Sequence, residues 1–134
     1  MIQSKPSQQP PCDMKEAIRH IDLGTEFHTA ERCSIIELSN TPDDSAVSLA
    51  RVRVAPGVAT RWHRLIRKAE RYVILAGSGR MEVGDLSPRE VNAGDVALIP
   101  PSCRQPITNI DPNDLLFLAI CTPRFRREAY EDLE

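Results

Sequence analysis

Glycine or proline stands at nearly every junction between the short apolar runs of this chain, and no long segment in its middle carries a clean helical period. The runs are CSIIEL (33–38), VSLARVRVA (47–55), ERYVILAG (70–77), GRMEVG (79–84), REV (89–91), DVALIP (95–100), QPITNI (105–110) and LLFLAIC (115–121). Apolar and β-branched runs of this length, bounded by turn-formers, read as strands. A series of about eight short strands argues for an all-β sandwich or barrel. Glycines 57, 77, 79, 84 and 94 fit tight barrel corners. The Cys–Trp–Cys pattern of an immunoglobulin-like sandwich is absent.

A chain of 134 residues fits one domain. We expect a flexible tail over residues 1–13, polar and rich in Pro and Gln, and a single barrel domain over 14–134. Met14 to Arg19 reads as one helical turn. The terminal RREAYEDLE reads as another turn or as a frayed end, and CTPRFRREAYEDLE is expected to fold back over the barrel, with Pro123 ending the last strand. The tail has no apolar core of a signal peptide, and no apolar run approaches the ~18 residues of a membrane span, so the expectation is a cytoplasmic protein with no membrane partner. A net charge of −2 and a pI near 5.9 argue against nucleic acid as a partner. The four cysteines, 12, 33, 103 and 121, form no CxxC pair, which argues against a structural zinc site or a disulfide framework. Cys33 and Cys121 read as small buried hydrophobes, and Cys103 as incidental.

Two spaced motifs stand out. The first is Gly57, five residues, His63, one residue, Leu65, four residues, Glu70, six residues, Gly77 (57–77). The second is Gly94, five residues, Pro100, one residue, Ser102, two residues, Gln105, three residues, Asn109 (94–109). The pair resembles the two signature motifs of the cupin superfamily, small single-domain barrels of the cupin_2-like kind. The resemblance implies a jelly-roll, or double-stranded β-helix, fold with short helical or irregular termini. Where that family places a second histidine, this chain has Leu65. Where it places the last histidine, this chain has Gln105. Ser102 replaces a turn glycine, which is tolerable if its φ is negative.

The resemblance implies a site inside the barrel built on His63 and Glu70. Two readings stay open. In the first, His63, Glu70 and Gln105 hold one divalent transition metal, Fe, Mn, Ni or Zn, in a degenerate version of the family's site. In the second, His63 and Glu70 act without metal as a general acid–base pair, and Gln105 donates a hydrogen bond to the ligand. Tyr72 shares the strand face of Glu70 by the period of two, Arg61 shares parity with His63, and Arg51 and Arg53 alternate on the neighbouring strand; all four are candidate ligand-binding residues. Asn109 reads as a turn or strand-end residue and Trp62 as packing.

The function expected is binding of a small anionic organic molecule inside the barrel, as an enzyme of isomerase, lyase, cyclase or oxygenase type. The alternative is a non-catalytic module that binds or senses a small ligand or sugar. The fold implies a homodimer that pairs through residues 18–38 or through a sheet face.

Overall fold

The computed structural model describes residues 13–134. Eleven strands follow in order: β1 Phe27–His28, β2 Ser34–Ser39, β3 Ser48–Val54, β4 His63–Leu65, β5 Ala69–Ala76, β6 Ser78–Met81, β7 Arg89–Asn92, β8 Val96–Ile99, β9 Ile107–Asn109, β10 Leu115–Thr122 and β11 Tyr130–Asp132. A six-stranded antiparallel sheet runs β1-β2-β3-β10-β5-β8. Opposite it lie the three-stranded sheet β7-β6-β9 and the pair β11-β4. Non-consecutive neighbours such as β3, β10 and β5 give the jelly-roll connectivity that the resemblance implied.

Period-two alternation puts one residue set of each long strand inside. On β5 the inward set is Glu70, Tyr72 and Ile74, all buried, while Arg71 and Leu75 face out. On β10 it is Leu115, Phe117 and Cys121. On β3 it is Ser48, Val52 and Val54. Each of these strands changes character along its length. Val54, Ile74 and Leu115 join Met81, Ile99 and Ile107 in a close-packed apolar cluster. Ser48, Glu70 and Cys121 instead border a cavity. The barrel is therefore filled with apolar side chains at one end and hollow at the other, with the Tyr72 and Phe117 rings packed at a tilt between the two halves, 33° apart at a centroid distance of 4.3 Å.

The turns rest on a few special backbones. Gly77 has φ +84°, and a Cβ there would lie 2.8 Å from the Asp114 carbonyl oxygen, so only glycine closes the corner between β5 and β6. Ser102 corrects the sequence expectation, because its φ is +62° rather than negative. Its hydroxyl accepts a 3.2 Å hydrogen bond from the Arg67 N–H, and Arg67 is itself left-handed at φ +64°. Two facing loops thus tie their strained residues together.

The termini depart from expectation. Residues 13–22 form no regular structure, so the helical turn expected at Met14–Arg19 is absent. Met14, Ala17 and Ile21 instead border a shallow hollow with Leu38 and Leu49. A segment of six residues is too short to meet the cost of helix nucleation by itself. The first turn is a 3-10 turn at Leu23–Thr25, where the Asp22 carboxylate accepts from the Gly24 N–H at 2.9 Å. Nearly all of the expected N-terminal tail lies outside the described residues. At the other end a single 3-10 turn, Arg127–Ala129, leads into β11, which pairs with β4 in the register Tyr130↔Leu65, Glu131↔Arg64 and Asp132↔His63. The C-terminal segment folds back over the hollow end of the barrel.

Candidate functional site

The hollow end is a cavity of about 890 Å3 walled by β2, β3, β4, β5, β10 and the C-terminal segment. That volume lies within the ~300–1,000 Å3 range of small-molecule sites. Its buried lining includes Cys33, Ser48, Val52, Thr60, His63, Leu65, Glu70, Tyr72, Phe117 and Cys121.

Glu70 is 8% exposed, and its carboxylate accepts a 2.7 Å hydrogen bond from Gln105 Nε2. Burial pushes the carboxyl up to about 7, against the Gln105 hydrogen bond that favours the charged form and with a further upward push from the charge of Glu31. Gln105 is 1% exposed and pairs across the backbone with His63, each N–H donating to the other's carbonyl at 3.1 and 2.9 Å. It is not among the lining residues and stands behind Glu70. The expectation that Gln105 meets the ligand directly is therefore corrected to a positioning contact.

His63 is 5% exposed. Its Nδ1 lies 2.7 Å from the Arg61 carbonyl oxygen, which can only accept, so Nδ1 carries the proton and Nε2 the lone pair. Its ring stacks on Tyr130 at 5.2 Å and 21°. Tyr72 lines the wall next to Glu70, and burial raises its phenol well above the ordinary value.

Two residues that sequence reasoning missed complete the group. Glu31, from the loop before β2, borders the cavity; burial raises its carboxyl, while His63 and a hydrogen bond from Tyr130 pull the other way. Tyr130 arrives on β11 with its hydroxyl raised, first by burial and then by the charge of Glu31. Neither is at a motif spacing. The available signal was compositional, since Tyr130 is one of only two tyrosines.

The arginines sort differently from expectation. Arg51 and Arg53 are on the outer face of β3, where both bind Glu26, at 3.2 and 2.6 Å; Arg53 also reaches Asp114 at 3.4 Å. Neither reaches the cavity, because the same strand buries Val52 and Val54 inside. Their guanidinium groups hold Glu26 below the usual carboxylate range. Arg61 does border the cavity, but Asp132 engages it through two hydrogen bonds of 3.2 and 3.1 Å.

The residues do not fit the metal site that the resemblance implied. Leu65 lines the cavity, buried, at the position of the second histidine. The Gln105 amide gives its N–H to Glu70 instead of an oxygen to the cavity. Among the described residues no group of three or more His, Cys, Asp or Glu side chains is arranged to hold a metal ion.

Comparison with solved structures decides the fold. A cupin 2 conserved barrel domain protein from Salinispora arenicola superposes with a TM-score of 0.68 at 22% identity, over 81% of this chain and 90% of that one. The chain has the cupin fold. This chain also resembles the structure of a Streptomyces PAC13 variant with uridine, with a TM-score of 0.73 at 14% identity over 90% and 92% of the two chains. A predicted oxalate decarboxylase from Thermotoga maritima matches with a TM-score of 0.69 at 21% identity over 78% and 98%. No protein-family model matches this sequence, and no curated protein matches it. Among its described residues no helix is long and apolar enough to cross a membrane.

Proposed function

We propose that this cupin binds a small organic anion in the hollow end of its barrel and moves a proton on it, without metal, as an isomerase- or lyase-type enzyme. The observation that carries the reading is the buried Glu70 carboxyl, backed by Gln105 and poised near 7. A group with that value is present in both protonation states at neutral pH, the condition for general acid–base work.

Each residue has a role in a balanced step. The His63 Nε2 lone pair takes a proton from a carbon beside a carbonyl. The neutral Glu70 carboxyl gives its proton to the carbonyl oxygen. The C–H bond breaks, an O–H bond forms, and an enol results; the reverse transfers at the neighbouring carbon or face return both groups to their starting states. No redox partner is needed. Tyr130 stacks on the imidazole, and Glu31 lines the same cavity. Among the structural relatives, the uridine complex supports the barrel as a container for small molecules.

The test is a panel of small keto acids, hydroxy acids, sugar acids and nucleosides incubated in D2O and followed by NMR. The expected result is deuterium uptake or isomerisation of one class, lost in Glu70→Gln and His63→Ala. Binding without exchange would instead establish a sensing module, the reading favoured by Leu65 in place of a second imidazole. Binding of no panel member overturns both.

We also propose a homodimer. Val96, Leu98 and Leu75 are 53%, 65% and 50% exposed on the outer face at the β5–β8 edge, and Ile18 is 85% exposed in the N-terminal segment. Apolar surface of this kind favours a covering partner.

A further inference from the structure

Three arginines in the segment PRFRR border the mouth of the cavity: Arg124, Arg126 and Arg127. Arg126 lies 3.7 Å from Glu128, so its charge is locally answered. Among the described residues no carboxylate lies within 4 Å of Arg124 or Arg127, although Arg51, Arg53, Arg61 and Arg64 all have acidic partners. The acids that share the lining are accounted for. Asp132 is engaged by Arg61, Glu128 by Arg126, Glu31 and Glu70 are pushed toward their neutral forms, and Glu37 remains on the β2 wall.

The Arg124 segment is also fixed in place. The Arg124 N–H donates to the Ser45 carbonyl at 3.1 Å, and the Phe125 N–H donates to the buried Ser48 hydroxyl at 2.8 Å. Asn40 grips the same segment twice: its Nδ2 donates to the Phe125 carbonyl at 3.0 Å, and its Oδ1 accepts from Arg124 Nη1 at 2.9 Å. A guanidinium has five N–H donors, and one neutral amide occupies one of them. A half-buried cation held on a fixed backbone, with donors to spare and no acid beside it, is preorganised for an anion.

We propose that Arg124, assisted by Arg127, is the anion clamp of this barrel. It takes the carboxylate or phosphate of a ligand whose other end reaches Glu70 and His63. This places the clamp in the C-terminal segment, not on β3, and narrows the ligand to a molecule with an acidic group at one end and a carbonyl or hydroxyl at the other. The clamp rests on the binding part of the proposed function and is independent of the proton step.

Titration calorimetry of the full chain with inorganic phosphate and with malonate tests the clamp, and the two probes separate phosphate from carboxylate preference. The expected result is saturable binding of at least one probe, weakened at least tenfold in Arg124→Gln and less in Arg124→Lys, with Arg80→Gln on the far strand β6 unchanged. Binding that survives Arg124→Gln undiminished, or no binding to the wild-type chain, overturns the clamp. If Arg124→Gln fails to fold, Arg127→Gln decides, with a smaller loss expected and no loss counting against. Saturable anion binding by the wild-type chain with no deuterium exchange across the panel sinks only the catalytic reading.

Discussion

Gln105 donates its side-chain amide to Glu70 across 2.7 Å; both residues are buried, Glu70 in the cavity wall and Gln105 behind it. A carboxamide suits a titrating carboxyl in either state. Its N–H answers the carboxylate, and after half a turn about its last bond its oxygen answers the O–H of the acid. With the N–H turned to Glu70, the buried Gln105 oxygen has no hydrogen-bond partner. At the position where the resemblance implied a ligand, the side chain holds the Glu70 carboxyl instead.

The Glu70 carboxyl therefore links stability to pH. Its folded value, near 7, is raised above an ordinary 4.5, so the stabilisation from the neutral form is complete below 4.5 and is lost as pH rises through 7. Glu70→Gln removes that loss. The variant should match wild type at pH 4.5 and exceed it by roughly 3 kcal/mol at pH 8, read by denaturant unfolding at the two pH values. Equal stability gaps at both would contradict the burial argument.

Restoring the two absent imidazoles should create a metal centre. Leu65→His with Gln105→His adds two side chains to His63 and Glu70, a donor set suited to divalent transition metals. Added Zn or Ni should raise the melting temperature of the double variant by many degrees and leave wild type unmoved, as measured by calorimetry with elemental analysis. A wild-type shift as large as that of the variant would overturn the fit argument.

Phe117 separates the apolar end from the hollow end and packs on Tyr72 at 4.3 Å. Phe117→Ala joins the cavity to the core and should cost about 3–5 kcal/mol in urea unfolding. A loss below about 1 kcal/mol would mean that the barrel collapses around the gap.

Leu98→Asp puts charge on the exposed outer face of β8 without touching the cavity. Sedimentation should show a dimer for wild type and a monomer for the variant, with anion binding retained. A wild-type monomer refutes the homodimer, and a dimeric variant moves the interface elsewhere.

The sequence carried those parts of the site that are local to strands. Glu70 and Tyr72 follow from alternation on β5, and His63 from the spacing to Gly57. The β3 arginines were legible too, had the valines been weighed: in RVRV (51–54) only one set faces in, and burying valine costs far less than burying an unpaired guanidinium. Glu31, Arg124 and Tyr130 were not legible, because loops and the β4–β11 pairing bring them in from far along the chain. Ser102 escaped because its left-handed backbone depends on a hydrogen bond from the facing loop.

β11 covers the open side of β4, the strand that carries His63. Without that cover, β4 would present a row of unpaired backbone groups beside an apolar hollow, the surface from which aggregates grow. One short segment thus does two jobs, finishing the pocket and guarding an edge. Variants that lose it should fail in activity and in solubility at once, so a drop in turnover from C-terminal truncation says little about chemistry until the protein is known to remain dispersed.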